Sequence, residues 1–442
     1  MSAVKAEPYD TYKDSGVYWV DKIPDAWKVL HLKNCVSKKI TDGPHATPVF
    51  IDEGVPFLSA EAVQDGSLNF SSKRGYISDA DDKIYSLKCK PKRNDIFIVK
   101  SGSTTGKVGY VSTDEKFNIW SPLALVRCGK NFDPRYVYLF LSSSYFQQQV
   151  QMFWSFGTQP NIGMGVIEAL QIAVPPHHEQ TTIAAYLDTK TAQIDRQIYL
   201  LSQKVTQYGK LKQSLINETV TRGIDKSVPM KDSGVEWIGE VPEHWTVTAV
   251  TNITDTVSQK NHPNEELLSV YRDYGVIIKS SRDDNNNKAG ADLSSYKLVE
   301  PGFLVINKMK AWQGSLGVSE LRGIVSPAYI TCKTNKRIVD RSYLHHLLRC
   351  RNYINEYNRL SFGVRVDQWD MRYDDFKYVP VLLPPMAEQA AIAKYLDEKT
   401  AQMDRIVKAI NTQIDKLKDL RKALINDVVT GKIKVASEGL AI

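Results

Sequence analysis

The 442-residue sequence has no long apolar run and few cysteines. No apolar stretch approaches the about 20 residues that a membrane-spanning helix needs, and the N-terminal MSAVKAEPYD has no apolar signal core. The five cysteines are odd in number, scattered, and form no Cys-x-x-Cys pair. These absences argue against a membrane protein, a disulfide framework and a zinc knuckle, and they predict a cytoplasmic protein.

Motifs for nucleotide binding, methyl transfer and metal binding are also missing. Residues 102–107, GSTTGK, have one residue too few between their glycines for a P-loop, and Val108 follows the lysine. The sequence has neither a DxFxGxG cofactor loop nor an Asn-Pro-Pro-Tyr or Asp-Pro-Pro-Tyr tetrapeptide, and its eight histidines show no metal-ligand spacing. Acid-x-Lys triplets at 81–83 and 114–116 are of a kind that chance produces in a chain with 50 acidic residues. We therefore predict a protein that is not an enzyme and that uses no cofactor and no metal.

What the sequence does contain is a long internal repeat. Residues 175–224 recur as 384–433, 209 positions later and without a gap, and their first 21 positions share 14 identities. Inside each copy, apolar residues recur at steps of four and three, which is typical of a coiled-coil seam. A lone stripe would more commonly pack on its own domain, but two copies in one chain are predicted to pack on each other. The seam positions are Ile194, Ile198, Leu201, Val205, Tyr208, Leu211 and Leu215 in the first copy, and Met403, Val407, Ile410, Ile414, Leu417, Leu420 and Leu424 in the second.

The two predicted helices are expected to pair antiparallel. Thirty helical residues make a rod of about 45 Å. Parallel pairing would force the short connecting arm to run back along the whole rod. Antiparallel pairing avoids this and places the preceding segments at opposite ends of the rod, related by a pseudo-twofold axis.

A second, shorter repeat forms an arm before each variable segment. Seven of fourteen positions are identical between residues 14–27, DSGVYWVDKIPDAW, and residues 232–245, DSGVEWIGEVPEHW. Pro24 and Pro242 prevent helix continuation, and the tryptophans at 19, 27, 237 and 245 are predicted to bury their rings and pin the arm.

Two variable segments, 28–174 and 246–383, lie between the repeats. Residues 95–111 and 302–318 both read as an apolar strand, a polar loop and a second strand. We predict an α/β fold with two mixed α/β domains joined by two long antiparallel coiled-coil helices with pseudo-twofold symmetry. The predicted boundaries are 1–174 for the N-terminal arm and first domain, 175–224 for the central helical spacer, 225–383 for the second arm and domain, and 384–442 for the C-terminal helical spacer.

The basic excess lies in the variable segments. The net charge is +7, with 17 basic against 13 acidic residues in 28–174 and 19 against 15 in 246–383. Such an excess is also typical of an ordinary solvated surface. Two similar basic domains on a fixed spacer nevertheless match a bipartite target on double-stranded DNA, because a rod of about 45 Å covers on the order of 13 base pairs.

The order of variable segment and repeated helix resembles the specificity subunit of a type I restriction–modification system. The motifs that carry the resemblance are DSGVEWIGEVPEHW, the pair PPHHEQTTIAAYLDTKTAQID and PPMAEQAAIAKYLDEKTAQMD, and ALINDVVTGKI near the C-terminus. The resemblance implies two target-recognition domains, each reading one half of a bipartite DNA site. It also implies a helical spacer that docks two methyltransferase subunits, a restriction and motor subunit that joins them, and catalysis in those partners. The alternative is a non-catalytic protein-binding scaffold with two end domains on a coiled-coil spacer.

Candidate DNA-binding residues lie in polar loops of both segments. Small residues let a backbone approach phosphate, and lysine or glutamine can pair with phosphate or base edges. An ordinary turn or surface loop is the alternative in each case. The candidates are Lys39, Thr41 and His45; Lys100, Ser103, Thr104, Thr105 and Lys107; their counterparts Lys308, Lys310, Trp312 and Gln313; and Gln159, Asn161, Arg365 and Gln368, which follow two Phe-Gly pairs.

Polar residues off the seam repeat between the two helices, which predicts symmetric docking of two identical partner subunits. The candidates are Tyr186, Asp188, Lys190 and Gln193 with Tyr395, Asp397, Lys399 and Gln402. The repeated Glu-Gln pairs at 179–180 and 388–389 are predicted to occupy the first turn of each helix, where a carboxylate favours the positive dipole end.

Overall fold

A computed structural model describes residues 8–156, 159–282, 290, 292–363 and 369–435. The chain divides into two compact units. The first unit contains Met1–Leu200 together with Gln413–Ile442, and the second contains Leu201–Thr412. Each long helix therefore contributes one part to each unit.

The first unit is a mixed α/β structure with short strands. Its strands are β1 Tyr12–Val17, β2 Val20–Pro24, β3 Lys28–His31, β4 Thr41–Asp42, β5 Val55–Leu58, β6 Val63–Gln64, β7 Ser67–Leu68, β8 Gly75–Ile77, β9 Ile96–Val99, β10 Val108–Tyr110, β11 Asn118–Ile119, β12 Leu123–Val126, β13 Ser155–Phe156, β14 Pro160–Asn161 and β15 Gln171–Val174. Its helices are α1 Asp79–Lys88, α2 Pro134–Leu141, α3 Ser144–Phe153, α4 Met164–Ala169 and the first part of α5 His177–Arg222.

The core of the first unit is a four-stranded antiparallel sheet in the order β10-β9-β12-β4. Its central strands, IFIV and LALV, are apolar throughout and fully buried because both faces are covered. Helix α2 starts at a proline and is capped by Asp133, whose carboxylate accepts hydrogen bonds from the backbone N–H groups of Arg135 and Tyr136. Strand β15 pairs with β3, so that Lys28 faces Val174 and the two ends of the variable segment meet.

The second unit repeats this plan. Its strands are β16 Met230–Asp232, β17 Glu240–Pro242, β18 Thr246–Ala249, β19 Thr254–Thr256, β20 Leu268–Tyr271, β21 Gly275–Ile278, β22 Lys297–Val299, β23 Phe303–Ile306, β24 Leu316–Val318, β25 Gly323–Val325, β26 Ile330–Thr334, β27 Ser361–Phe362, β28 Asp370–Met371 and β29 Pro380–Leu383. Its helices are α6 Arg341–Leu348, α7 Arg351–Arg359, α8 Tyr373–Phe376 and the first part of α9 Met386–Val429.

The two sheets are equivalent strand by strand. The second sheet has the order β19-β26-β23-β24, the counterpart of β4-β12-β9-β10, and β18 pairs with β29 so that Thr246 faces Leu383. The predicted mixed α/β character, with strands first and helices later in each segment, is therefore confirmed.

Three of the four arm tryptophans are buried, as predicted, and the fourth, Trp237, is half-buried. Trp19, Trp27 and Trp245 lie in the cores, and Trp237 packs against the second core. The Glu-Gln pair in the first turn of each long helix attaches the arm and the domain to that helix. The glutamate carboxylate accepts a hydrogen bond from the indole N–H of an arm tryptophan. The glutamine amide oxygen accepts a hydrogen bond from the backbone N–H of the residue that caps a domain helix. The paired contacts are Trp27 Nε1 to Glu179 at 3.2 Å and Trp245 Nε1 to Glu388 at 3.1 Å, then Asp133 N to Gln180 at 2.8 Å and Asp340 N to Gln389 at 2.8 Å.

Within the first unit, the end of α9 runs antiparallel to the beginning of α5. Arg421 pairs with Asp195 at 2.9 Å. Further along α9, the carbonyl oxygen of Val429 lies 3.2 Å from the Tyr136 hydroxyl, which lies 2.8 Å from the carbonyl oxygen of Ala173, just before α5. Thus α9 advances towards the start of α5, and its last turns enter the core of the first domain.

Within the second unit, the end of α5 runs antiparallel to the beginning of α9. Lys212 reaches both carboxylate oxygens of Asp404 at 2.7 Å. Gly223 follows the last turn of α5, and a Cβ atom there would lie 3.2 Å from Oε1 of Glu388, in the first turn of α9. Val220 is buried in the second core, so each domain holds the start of one long helix and the end of the other.

Two predicted seam positions are wrong. Leu211 is 52% exposed and Leu420, its equivalent, is 54% exposed. In the second unit, the residues of α5 that pack against the core after this point are Leu215, Ile216 and Val220. Leu215 is a seam position but Ile216 and Val220 are not, so the apolar contact shifts around the helix near its C-terminal end, where the helix packs on a domain.

Candidate nucleic-acid interface

The polar loop between β9 and β10 brings several predicted residues of the first domain together. Ser101 forms an isolated antiparallel bridge with Asn161, and Ile162 N donates to the carbonyl oxygen of Lys100 at 2.8 Å. The Thr105 hydroxyl lies 2.7 Å from the carbonyl oxygen of Gly102 and 2.9 Å from that of Pro160. The loop after β9 and the segment 159–161, separated in sequence, thus form one surface.

A buried carboxylate connects this loop to the predicted turn at 39–45. Asp42, on β4, is 5% exposed and receives Lys88 at 2.5 Å, Lys100 at 2.6 Å and His45 at 3.3 Å. Burial alone would raise the pKa of Asp42, but the ammonium groups of Lys100 and Lys88 outweigh it and hold that pKa below its usual value. Asp42 therefore remains charged and ties three parts of the domain together.

Not every predicted side chain of the first domain is available to a ligand. Thr105 is 9% exposed and its hydroxyl faces backbone carbonyl oxygens, while the Lys100 side chain is 14% exposed and bound to Asp42. The sequence predicts both as DNA contacts, whereas in the structure they support the loop, because their polar atoms already have protein partners. The predicted side chains that remain exposed are Lys39, His45, Ser103, Lys107, Gln159 and Asn161, while Thr41 and Thr104 are half-buried.

A cleft of about 700 Å³ opens beside these residues. Lys39 and Thr41 line it, so it joins the predicted turn. Sequence reasoning missed most of its cations, because Lys88, Lys90 and Lys92 end or follow α1, Arg127 follows β12, and none of them forms a motif with the turn. Its charged and polar lining consists of Lys38, Lys39, Thr41, Asp42, Ser86, Lys88, Lys90, Lys92 and Arg127.

The second domain builds an equivalent loop between β23 and β24. Met371 N donates to the carbonyl oxygen of Lys308 at 3.0 Å, as Ile162 N does to Lys100 in the first domain. The Lys308 ammonium pairs with Asp370 at 3.0 Å, and the rings of Trp312 and Trp369 lie 4.9 Å apart. The same backbone junction is thus kept, but the carboxylate that holds the lysine comes from a different strand.

Lys310 and Gln313 of this loop line a cleft of about 310 Å³. Arg282 lies over the rings of Tyr271 and Tyr274, at 5.4 and 5.0 Å from their centroids. Aromatic and guanidinium groups of this kind suit stacking and phosphate contacts. Sequence reasoning missed Arg272, Arg282 and the two tyrosines, which precede the first loop residue, Asn307, by 25 to 36 positions. The predicted residues Arg365 and Gln368 lie outside the described residues.

The predicted docking residues are only partly exposed. Tyr186 is 8% exposed and Tyr395 packs partly against the second core, which contradicts the expectation that they lie on an open face. Asp188 pairs with Arg135 at 2.8 Å, and Asp397 with His346 at 2.7 Å, so both carboxylates fasten a long helix to a domain. The remaining candidates are a lysine beside each tyrosine ring, Lys190 and Lys399, which lie 5.9 and 5.8 Å from the ring centroids, and the exposed Gln193 and Gln402.

Within the described ranges, no group of three or more His, Cys, Asp or Glu side chains has the geometry to hold a metal ion. In the same part of the chain, no helix combines the length and the apolar character that crossing a bilayer requires.

Comparison with known proteins shows what this chain is similar to. Residues 26–201 match the family model described as "Type I restriction modification DNA specificity domain". This range covers the first variable segment and the first part of α5, and the match confirms the resemblance inferred from the repeats.

The individual matches extend along the chain. The type I restriction enzyme MjaVIII specificity subunit of Methanocaldococcus jannaschii is 23% identical over 94% of this chain and 94% of its own length. The EcoKI specificity subunit of Escherichia coli is 20% identical over 93% of this chain and 90% of its own length.

Two solved structures share the fold. A chain from a study of complex assembly and conformational transition of the type I R-M system has a TM-score of 0.68 at 15% identity, covering 94% of this chain and all of its own. The HsdS subunit from Thermoanaerobacter tengcongensis has a TM-score of 0.53 at 16% identity, covering 95% of this chain and all of its own.

Proposed function

We propose that this chain is the DNA sequence-specificity subunit of a type I restriction–modification complex, with one half of a bipartite target read by each recognition domain. The observation that carries the proposal is the duplicated site. Two equivalent sheets present equivalent loops, after Val99 and after Ile306, and each loop is fixed by the same backbone bond to a later segment. The residues that differ between the loops would give the two half-sites different sequences.

The long helices are proposed to form the spacer between the half-sites. The ion pairs Asp195–Arg421 and Lys212–Asp404 support this. Their α5 residues are 17 positions apart, and their α9 residues are 17 positions apart in the opposite direction, as one continuous antiparallel register requires. In this proposal the pseudo-twofold relation of the duplicated chain matches the dyad of DNA.

The chain is non-catalytic in this proposal, consistent with relatives that are named specificity subunits. Methylation and cleavage would come from two methyltransferase subunits and from restriction subunits that dock on the repeated helical faces. Lys190, Gln193, Lys399 and Gln402 remain the candidates for that contact. We place the protein in the cytoplasm, which the five free cysteines support.

A domain-duplication experiment tests the function. Because Lys28 and Val174 are paired neighbours, as Thr246 and Leu383 are, residues 246–383 can replace 28–174 as a cassette with matching ends. The hybrid, expressed with its methyltransferase partner, is expected to methylate a target with two inverted copies of the second half-site. Sequencing of methylated bases in the host measures this.

The matched control replaces 246–383 by 28–174 and is expected to duplicate the first half-site instead. A target unchanged in both hybrids, or changed in both halves by one replacement, would contradict the assignment of one half-site per domain. A chain that supports no sequence-specific methylation would favour the scaffold alternative.

A second experiment tests the spacer. Seven residues inserted into each helix at facing positions, between Gln203 and Lys204 and between Thr412 and Gln413, add about 10 Å of helix. At about 3.4 Å per base pair, the unread gap in the target is expected to grow by about three base pairs while both half-sites stay the same. Insertion into α5 alone serves as the control and is expected to abolish methylation. An unchanged gap after the double insertion would rule out the helices as the ruler.

A further inference from the structure

A cleft of about 550 Å³ lies in the second unit, between α5 and the corner where α6 meets α7. Four of the described residues that line it are cations. Its lining includes Lys212 and Gln213 from α5, Arg272, Asp273 and Gln313 from two loops, and Arg349 and Arg351 from the corner.

The positive charge of this cleft is only partly neutralised inside the protein. Among the described residues, Asp273 is the one carboxylate that lines the cleft, and it pairs with Arg272 at 3.4 Å, while Lys212 is held by Asp404. No carboxylate in the described part of the chain forms an ion pair with Arg349 or Arg351. A cluster of like charges costs free energy unless an anion offsets it.

Arg349 is the most constrained of these cations. Its guanidinium donates to the carbonyl oxygens of Leu316 and Arg272, each at 2.8 Å, which fixes its plane at the wall of the cleft. Burial lowers the pKa of Arg349 to about 10, and the nearby Asp273 partly opposes this effect. The group stays charged at neutral pH, so its charge adds to that of Arg351 at the same corner.

The fold itself does not require these arginines. The N-cap of α7, Cys350, corresponds to Ser143, the N-cap of α3 in the first domain. Arg349 and Arg351 therefore correspond to Ser142 and Ser144. The first domain builds the same helical corner with two serines, so the arginines are an addition of the second domain.

We infer that this cleft is a phosphate-binding site, in which Arg272 and Arg351 contact the phosphate and the charges of Arg349 and Lys212, both held by protein partners, add to the positive potential. Planar guanidinium groups suit the bidentate binding of phosphate oxygens. Gln313 lines this cleft as well as the neighbouring one with Lys310, so the site adjoins the proposed reading loop. Resting on the proposed function, we assign it a backbone phosphate of the DNA beside the second half-site. Such a contact strengthens binding without selecting a sequence.

The test is a double variant, Arg272→Gln with Arg351→Ser, in the full chain. Arg349 is left in place because it supports the backbone, and Ser is the residue that the first domain has at the equivalent position. Affinity for a duplex carrying the methylated target is measured over a series of salt concentrations. Loss of two phosphate contacts is expected to flatten the slope of log K against log salt by up to about two and to weaken binding at least tenfold at low salt. The preference among half-site variants is expected to stay unchanged.

The matched control is Lys336→Gln with Arg337→Gln, which removes two charges from an exposed turn of the same domain. It is expected to leave the slope nearly as in the unmodified chain. An equal slope for the Arg272/Arg351 variant and this control, or an altered half-site preference in the Arg272/Arg351 variant, would overturn the assignment.

A second measurement separates this inference from the proposed function. Inorganic phosphate, compared with chloride at equal ionic strength, is expected to raise the unfolding temperature of the unmodified chain more than that of the Arg272/Arg351 variant. If the chain bound no DNA but kept this difference, the phosphate site would stand and the proposed function would fail. If phosphate stabilised both proteins equally, the site itself would be refuted.

Discussion

Val428→Asp is expected to lower the free energy of unfolding of the first unit by more than about 4 kcal/mol, because it places an unpaired charge in a closed apolar core. Val428 lies near the end of α9, is fully buried, and packs with Ile425 and Val429 in the core of the first domain. The last turns of α9, which lie far from that domain in the sequence, therefore complete its core. Hydrogen exchange followed by peptide is the measurement, and the peptides of β9 and α2 are expected to lose protection.

Leu420→Asp is the matched control for this experiment. It introduces the same side chain two turns earlier on the same helix, at a position that is 54% exposed, and is expected to change stability by less than about 0.5 kcal/mol. The second unit offers a comparable pair, Val220→Asp with Leu211→Asp, whose positions are 0% and 52% exposed and correspond to Val429 and Leu420 in the repeat. Equal effects of Val428→Asp and Leu420→Asp would contradict the packing of α9 on the first domain.

The exposed positions Leu211 and Leu420 also show how much of the helix packing the periodicity of the sequence could predict. The heptad-like spacing predicted the long helices, and most of the seam residues are at least half-buried. It placed Leu211 and Leu420 on the seam as well, because it assumed one partner along the whole stripe. A straight α-helix drifts about 20° per heptad relative to a 3.5-residue repeat. Near its C-terminal end each helix packs instead on a domain core, which a repeat within one helix cannot reveal.

The candidate nucleic-acid interface, too, could be predicted from the sequence only in part. The loops after Val99 and Ile306 could be identified from their polar residues between apolar strands, and the two Phe-Gly echoes pointed to the segments that meet them. The sequence could not show that Lys100 is bound by Asp42, because that carboxylate lies 58 positions earlier and in another strand. Arg272 and Arg349 could not be predicted from the sequence for the same reason. Tertiary contacts bring together cations that form no local pattern.

Asp42→Asn is expected to destabilise the first domain by about 2 kcal/mol at neutral pH, because it removes the charge that Lys88 and Lys100 share. The effect has a defined pH dependence. Since the pKa of Asp42 is lower in the folded protein, its contribution is fully present above the unfolded value near 4 and is lost as the pH falls through the folded value. Denaturant unfolding from pH 7 down to pH 3 measures the difference between the two proteins, which is expected to shrink as the pH falls.

A functional loss is expected to accompany this change. Lys100 supports the loop that carries Ser103 and Lys107, so release of its ammonium group should weaken discrimination at the first half-site and leave the second half-site unaffected. Asp79→Asn is the control, because Asp79 also pairs with a lysine, Lys116 at 2.6 Å, but lies at the surface, where such pairs contribute little. Unchanged discrimination in Asp42→Asn, together with a measured loss of stability, would show that Asp42 supports the domain but does not position the reading loop.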